Sequence, residues 1–319
     1  MSAPTSAGAS HLIGVAPAAS FSSLVRVDVS ALSHPGYHRA NNEDHYLVTR
    51  LGRTLQTLTT SLPAGDVPQC TEEVNYVMVV ADGMGGHAAG EVASRMAISA
   101  LVSCALDVPD WIFKVDEAHA REIERRSRTR VQEIGAMLVD RGQHDPALRG
   151  MGTTLTAARS LGRDLLITHV GDSRAYLLRA GSLHHLTRDH TYAQLLVDTG
   201  QLAPGDVAGS RHRHVLTNAL GGSNEEVLVD TDLLRLEDGD RVLLCSDGLT
   251  DLVDDQAITS ILLEATGSSD ACARLVQRAL DGGGRDNVTV IVAAYRLPEA
   301  ATPTKGDDGS GEAETLAAR

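Results

Sequence analysis

Val77-Met78-Val79-Val80-Ala81 is an unbroken apolar run that stops at Asp82-Gly83. A short apolar run rich in β-branched residues and closed by turn residues reads as a strand covered on both faces. Val242-Leu243-Leu244-Cys245 repeats the pattern and reaches Ser246-Asp247-Gly248. His169-Val170-Gly171 runs into Asp172-Ser173, and Gly284-Arg285 leads to Asp286-Asn287 just before another apolar stretch. With these included, strands are expected at 24–29, 44–48, 74–80, 153–159, 165–170, 175–179, 241–245 and 287–294. Helical patterns occupy 90–106, 116–140, 191–199, 255–263 and 268–280. The last opens on Ser268-Ser269-Asp270, which reads as a cap, and stops at Asp281-Gly282-Gly283-Gly284. Strands often follow one another without an intervening helix, so hairpins outnumber βαβ units. That pattern gives an α+β fold: a central antiparallel β-sandwich with helices outside.

The chain has 319 residues, is 42% hydrophobic and contains one Trp and two Phe, so Leu, Val, Ile and Ala must fill its core. A net charge of −14 argues against a nucleic-acid partner, which needs clustered Lys and Arg. Cys70, Cys104, Cys245 and Cys272 form no CxxC pair and read as reduced, packed thiols. No apolar run approaches the length that spans a bilayer, and 1–20 lacks the basic start and apolar stretch of a signal peptide. The expected location is therefore the cytoplasm. Composition marks 1–22 and 298–319 as flexible tails around one domain, 23–297. Within it, 50–73 is long for a strand connection and reads equally as a protruding hairpin or a mobile loop.

Aspartate at a strand end is ordinary turn chemistry. Four such sites, each beside Gly or Asn, point further, because converging carboxylates repel unless a cation lies between them. HExxH and Cys/His clusters of zinc spacing are missing from the sequence, and so is the calcium-loop pattern closed by Glu. Oxygen-only donors suit Mg²⁺ or Mn²⁺, and two such ions sharing a carboxylate make a hydrolytic centre.

Six segments carry a family resemblance. Arg39-Ala40-Asn41-Asn42-Glu43-Asp44 resembles the RxxNED opening of the PPM/PP2C protein phosphatases. Ala81-Asp82-Gly83-Met84-Gly85-Gly86-His87-Ala88-Ala89-Gly90-Glu91 is similar to the metal-site segment of the bacterial branch. Gly150–Thr154, Gly171–Arg174, Cys245–Asp251 and Gly284–Val290 resemble later family segments in the same order. The resemblance covers about 23–297 and implies a four-layer αββα architecture that hydrolyses phosphoserine and phosphothreonine in proteins. It implies two Mn²⁺ or Mg²⁺ ions: Asp82 bridging, Glu43 and the Gly83 carbonyl on one side, Asp247 and Asp286 on the other. Asp172 would hold a third ion. Arg39 would bind the substrate phosphate and nothing else, while Asp44 and Asn287 would orient ligands and waters. Implied partners are phosphorylated proteins and a Ser/Thr kinase sharing those targets; a monomer is expected, with no membrane partner.

Two departures stand out. Eukaryotic members place His where this chain has Met84, so the leaving oxygen must take its proton from a metal-bound water or another group. His87, three positions on, is no simple substitute. The segment 189–222 matches the family's flap, and its Arg211-His212-Arg213-His214 run is unusual. The simplest reading is a solvated loop. A sharper one has these cations recruit phosphopeptide, or His214 approach a third metal at Asp172. Against the enzyme stand two other readings. A phosphopeptide-binding pseudophosphatase would have lost a ligand among Asp82, Asp247 and Asp286. An α/β-hydrolase, suggested by Gly171-Asp172-Ser173-Arg174-Ala175, is opposed because that segment leads into a strand.

Overall fold

Alternate residues of the apolar strands face different partners, and this period of two builds the molecule. The computed structural model describes residues 25–85, 89–107, 117–222 and 226–297. The chain begins with β1 (Arg26–His34), β2 (Asp44–Gln56), β3 (Cys70–Met84), α1 (Ala89–Asp107) and α2 (Glu117–His144). It continues through β4 (Gly152–Thr153), β5 (Leu155–Leu161), β6 (Asp164–Val170), β7 (Arg174–Arg179) and β8 (Ser182–His185). Next come α3 (Tyr192–Asp198), β9 (Leu220–Gly221), β10 (Asp230–Arg235) and β11 (Arg241–Cys245). The last elements are α4 (Asp247–Thr250), α5 (Asp255–Glu264), α6 (Ser268–Asp281) and β12 (Val288–Arg296). One sheet has the order β1-β12-β11-β7-β8; the other is β10-β6-β5-β3-β4-β9, with β2 also on β3.

Met78 and Val80 of β3 meet Val242 and Leu244 of β11 and Ile291 and Ala293 of β12 between the sheets. Their neighbours Val79 and Ala81 turn the other way, onto Ala93 and Ala97 of α1 and Ile134 and Leu138 of α2. On the far side Leu243, Cys245, Val290 and Val292 pack against Ile258, Leu262, Leu275 and Val276 of α5 and α6. Helices thus cover both outer faces, giving the four layers expected. Leu244 is fully buried between the sheets, where truncation to Ala costs roughly 2–5 kcal/mol.

Several expectations change. The 50–73 segment is a protruding hairpin: β2 and β3 stay paired out to Gln56 opposite Cys70, leaving 57–69 as the tip. The α6 cap is not Ser-Ser-Asp. Gly267 occupies the N-cap without a side-chain bond, and the Ser268 amide donates to Asp28 Oδ2 (2.8 Å) from β1. Contrary to the hydropathy reading, Ala89–Leu106 is long and apolar enough to cross a membrane, with a mean hydropathy of 1.3. Here its Ala-rich face is buried against β3 and α2. The expected tails, 1–22 and 298–319, lie outside the described residues, as does His87.

His169 on β6 is buried, and its ring is held on both sides. Its Nε2–H donates to the Arg188 carbonyl (3.1 Å), and its Nδ1 lies 2.9 Å from the Thr156 hydroxyl, whose proton the Ser173 carbonyl (3.0 Å) shares. Burial, with His190 beside it, pushes the imidazole down to about 4. The unfolded chain takes up this proton near pH 6.5, whereas the folded one refuses it until about 4. Stability is therefore lost as pH falls through that window, by at most roughly 3 kcal/mol. In EDTA, urea melts of His169→Gln should show a correspondingly flatter pH dependence between 6.5 and 4 than the parent. Identical slopes would assign the acid sensitivity to other groups.

Candidate metal centre

Asp44 opens β2 and Asp82 lies near the end of β3, and the two face each other across the antiparallel ladder. Asp172 follows β6, Asp247 begins α4 immediately after β11, and Asp286 precedes β12. Pairing of β11 with β12 carries on through Ser246 N–H to the Thr289 carbonyl (3.0 Å), which brings these ends to the same edge. Gly83 is required by close approach: a Cβ there would lie 2.2 Å from the Gly90 carbonyl oxygen and 2.7 Å from that of Glu43. Its amide donates to the Glu43 carbonyl (3.1 Å), joining the two segments that carry acids.

The electrostatics show how close the acids are. Burial, then the charges of Asp44, Asp247, Asp172 and Asp286, pushes the Asp82 carboxyl well above the carboxylate range. Asp172 is raised by burial and then by Asp247 and Asp189. Asp44 is pushed up to about 7 by burial, which the Ser246 hydroxyl and the nearby Thr289 side chain oppose and the charges of Asp247 and Asp286 reinforce. Glu43 is raised by burial, which Arg39 counters. Asp44 Oδ2 accepts from the Ser246 hydroxyl (2.7 Å), yet its buried Oδ1 has no hydrogen-bond partner among the described residues. A partnerless buried carboxylate oxygen, mutually repelling acids and an all-oxygen donor set together fit hard divalent cations.

The supporting contacts are specific. Asn287 Oδ1 accepts from the Glu43 amide (2.7 Å), and its Nδ2 donates to the Pro35 and Asn41 carbonyls (3.0 Å each). It therefore fixes the loop bearing Arg39 and Glu43 onto the start of β12. The Asp82 amide donates to Thr154 Oγ1 (2.9 Å), which bonds Ser173 Oγ (2.7 Å). Arg39 differs from expectation, since its Nη2 lies 2.6 Å from Asp286 Oδ2 and so touches a ligand candidate as well as the solvent side. Met84 is half-buried and brings no proton donor.

The flap contains α3 and a 3₁₀ turn, Pro204–Gly209. Part of the cationic run reaches the acids and part does not. His214 Nδ1 lies 3.7 Å from Asp247 Oδ2 and its Nε2 3.4 Å from Asp251 Oδ2, and these neighbours raise its pKa, Asp247 foremost. Arg213 reaches Asp251 at 3.8 Å. Arg211 bonds only the neighbouring His212 ring (3.1 Å) among its described contacts and is exposed. The solvated-loop reading thus holds for Arg211 and fails for His214. Sequence reading gave no role to Ser246, Thr154 or Asp251, although each lies in or beside a segment it had singled out. A hydroxyl one residue before an Asp is the signal that would have found Ser246.

The profile of the protein phosphatase 2C family matches residues 59–281. The serine/threonine protein phosphatase PstP of Mycobacterium tuberculosis is 42% identical over 219 residues, 68% of this chain. The chain spans only 40% of the length of that relative. Protein phosphatase PhpP of Streptococcus pneumoniae is 32% identical over 279 residues, covering 86% of this chain and 100% of PhpP. A crystal structure of the PstP catalytic domain with two manganese ions superposes with a TM-score of 0.65 at 35% identity, covering 85% of this chain and 99% of that one. The chain belongs to the protein phosphatase 2C family.

Proposed function

We propose that the chain is a metal-dependent phosphoprotein phosphatase acting on phosphoserine and phosphothreonine. The observation that carries this reading is Asp82, raised by burial and by the charges of Asp44, Asp247, Asp172 and Asp286 around it, beside the half-exposed fork of Arg39. Glu43, Asp82, the Gly83 carbonyl, Asp247 and Asp286 would hold two Mn²⁺ or Mg²⁺ ions, with Asp172 available to a third. Bound divalent ions supply Lewis acidity to a phosphoryl oxygen and lower the pKa of water. Arg39 presents a planar fork matched to two phosphate oxygens. Asn287 and Ser246 keep the loop of Glu43 and the carboxylate of Asp44 in place.

Water then attacks phosphorus in line, opposite the serine or threonine oxygen. The new P–O bond forms as the ester bond breaks, and the side-chain oxygen leaves as the alcohol once it has taken a proton. Met84 cannot give that proton, so a water or another group gives it, while the attacking water releases one of its own. A binding-only protein would lack one of the acids, and every expected position is filled. We further infer a cytosolic monomer whose substrates are shared with a Ser/Thr kinase.

Asp82→Ala and Asp247→Ala should each abolish Mn²⁺-dependent hydrolysis of a phosphothreonine peptide while the circular-dichroism spectrum stays native. Full activity in the Asp82 variant would sink the proposed site. Stability offers a second check that needs no turnover. In EDTA, Asp82→Asn should melt about 2–5 °C above the parent, because the cost of holding an acid among Asp44, Asp172, Asp247 and Asp286, whether it is charged or forced to keep its proton, is gone. Millimolar Mn²⁺ should raise the parent's melting temperature and leave that of Asp82→Asn nearly unmoved. Equal Mn²⁺ shifts in the two proteins would place the cation elsewhere.

A further inference from the structure

We propose that His190 is a positioning residue that ties both ends of the span 191–217, the outer part of the 189–222 flap, to the peptide carrying Asp172. The flap's seat and the Asp172 carboxylate are then set together. This rests on the phosphatase reading for its consequence, though not for its geometry.

His190 stands at the flap's entrance and uses every polar atom it has. Its amide donates to the Gly171 carbonyl (2.7 Å), and its own carbonyl accepts from Thr217 N–H (2.8 Å) at the flap's exit. Nδ1 faces two donors, the Gly171 amide (3.1 Å) and Asn218 Nδ2 (2.9 Å). Two donors on one ring nitrogen leave it unprotonated, so Nε2 carries the hydrogen and donates to Asp230 Oδ2 (3.0 Å) on β10. One imidazole therefore links the entrance, the exit, the sheet edge and the residue before Asp172.

That last residue has little freedom to absorb a shift. Gly171 has φ +113°, and a Cβ there would lie 2.6 Å from Thr154 Cβ. Thr154 is the residue whose hydroxyl accepts from the Asp82 amide. A displacement of His190 is thus passed to Gly171, and from there to Asp172 on one side and Thr154 on the other. At the far edge of the flap, Arg213 and His214 rest beside Asp251. With the root fixed, their approach to the acids is fixed too. The ring is only half-buried, and a side chain that merely filled space would need neither its bonds to Gly171 and Asn218 nor the one to Asp230.

Two conservative variants separate the ring's two nitrogens. His190→Asn puts an amide oxygen where Nδ1 accepts and gives up the bond to Asp230. His190→Gln reaches Asp230 and leaves the Gly171 amide without its acceptor. The first measurement is trypsin cleavage after Arg211 and Arg213 in the full chain, in EDTA, scored against cleavage elsewhere in the chain. His190→Gln should raise the flap rate on the order of tenfold, since it strands a buried donor, and His190→Asn should stay within about twofold of the parent. His190→Gln should also lose more kcat/KM on a phosphothreonine peptide than on a small aryl phosphate. Unchanged flap cleavage in His190→Gln, equal rates in the two variants, or cleavage rising uniformly along the chain would each overturn the proposal. The proteolysis needs neither metal nor substrate, so a parent protein without phosphatase activity would sink the functional reading and leave the positioning role standing.

Discussion

Carboxylates repel, and the acids gathered at one end of this sandwich have no protein cation deep enough among the described contacts to balance them. Asp82 feels Asp44, Asp172, Asp247 and Asp286 at once. A chain seeking only stability would replace them, since truncating or neutralising a buried charge removes both its desolvation cost and the repulsion. Stability is given up here at the place where a cation can use the acids, the usual pattern at functional sites. The neighbouring architecture limits that cost. Ser246 and the Thr154 hydroxyl hold the chain at Asp44 and Asp82, while Asn287 fixes the Glu43 loop by three bonds.

The sandwich explains why five distant residues can meet. Antiparallel sheets covered on both faces need strands apolar on both sides, and such strands change to polar residues only at their ends. The ends of β3, β6 and β11 and the starts of β2 and β12 supply the acids. The interior strands that carry them are clamped between the inter-sheet core and the helices, so the positions are rigid without any bond between the acids themselves. Their separation in sequence, from Asp44 to Asp286, reflects this convergence of strand ends.

What was legible in the sequence follows the same logic. β11 runs over 241–245 as its apolar composition indicates, and the Gly-rich stop of α6 falls after Asp281. β10 was missed because Asp230–Arg235 carries two Asp and an Arg and is largely open to solvent, so it lacks the apolar signature of an interior strand. β8, four residues and mostly exposed, was missed for that reason too. Asp82, Asp172, Asp247 and Asp286 were legible since each adjoins an apolar strand beside Gly or Asn, whereas Asp44 stood out only through the family resemblance. Their supports were not. Asn218 reaches the centre only through His190, and the α6 N-terminus is capped by Asp28, 240 positions earlier. Local pattern cannot show a partner supplied by another element.

Depth divides the site's polar contacts into two kinds. Those of Asn287, Ser246 and Thr154 are buried or nearly so, and a buried donor stranded by movement costs about 1–3 kcal/mol, which keeps them fixed. Those at the rim are exposed. Arg39 and Asp286 have side chains 55% and 36% accessible, and such a pair is worth about 0–1 kcal/mol. His214 with Asp251 is similarly open, at 46% and 32%. Exchanging either partner for a phosphate oxygen therefore costs little, whereas displacing an inner support costs much. A centre built this way holds its acids still while the Arg and His side chains at its rim remain free to change partners, so the inner acids are fixed by depth and the outer cations adapt by exposure.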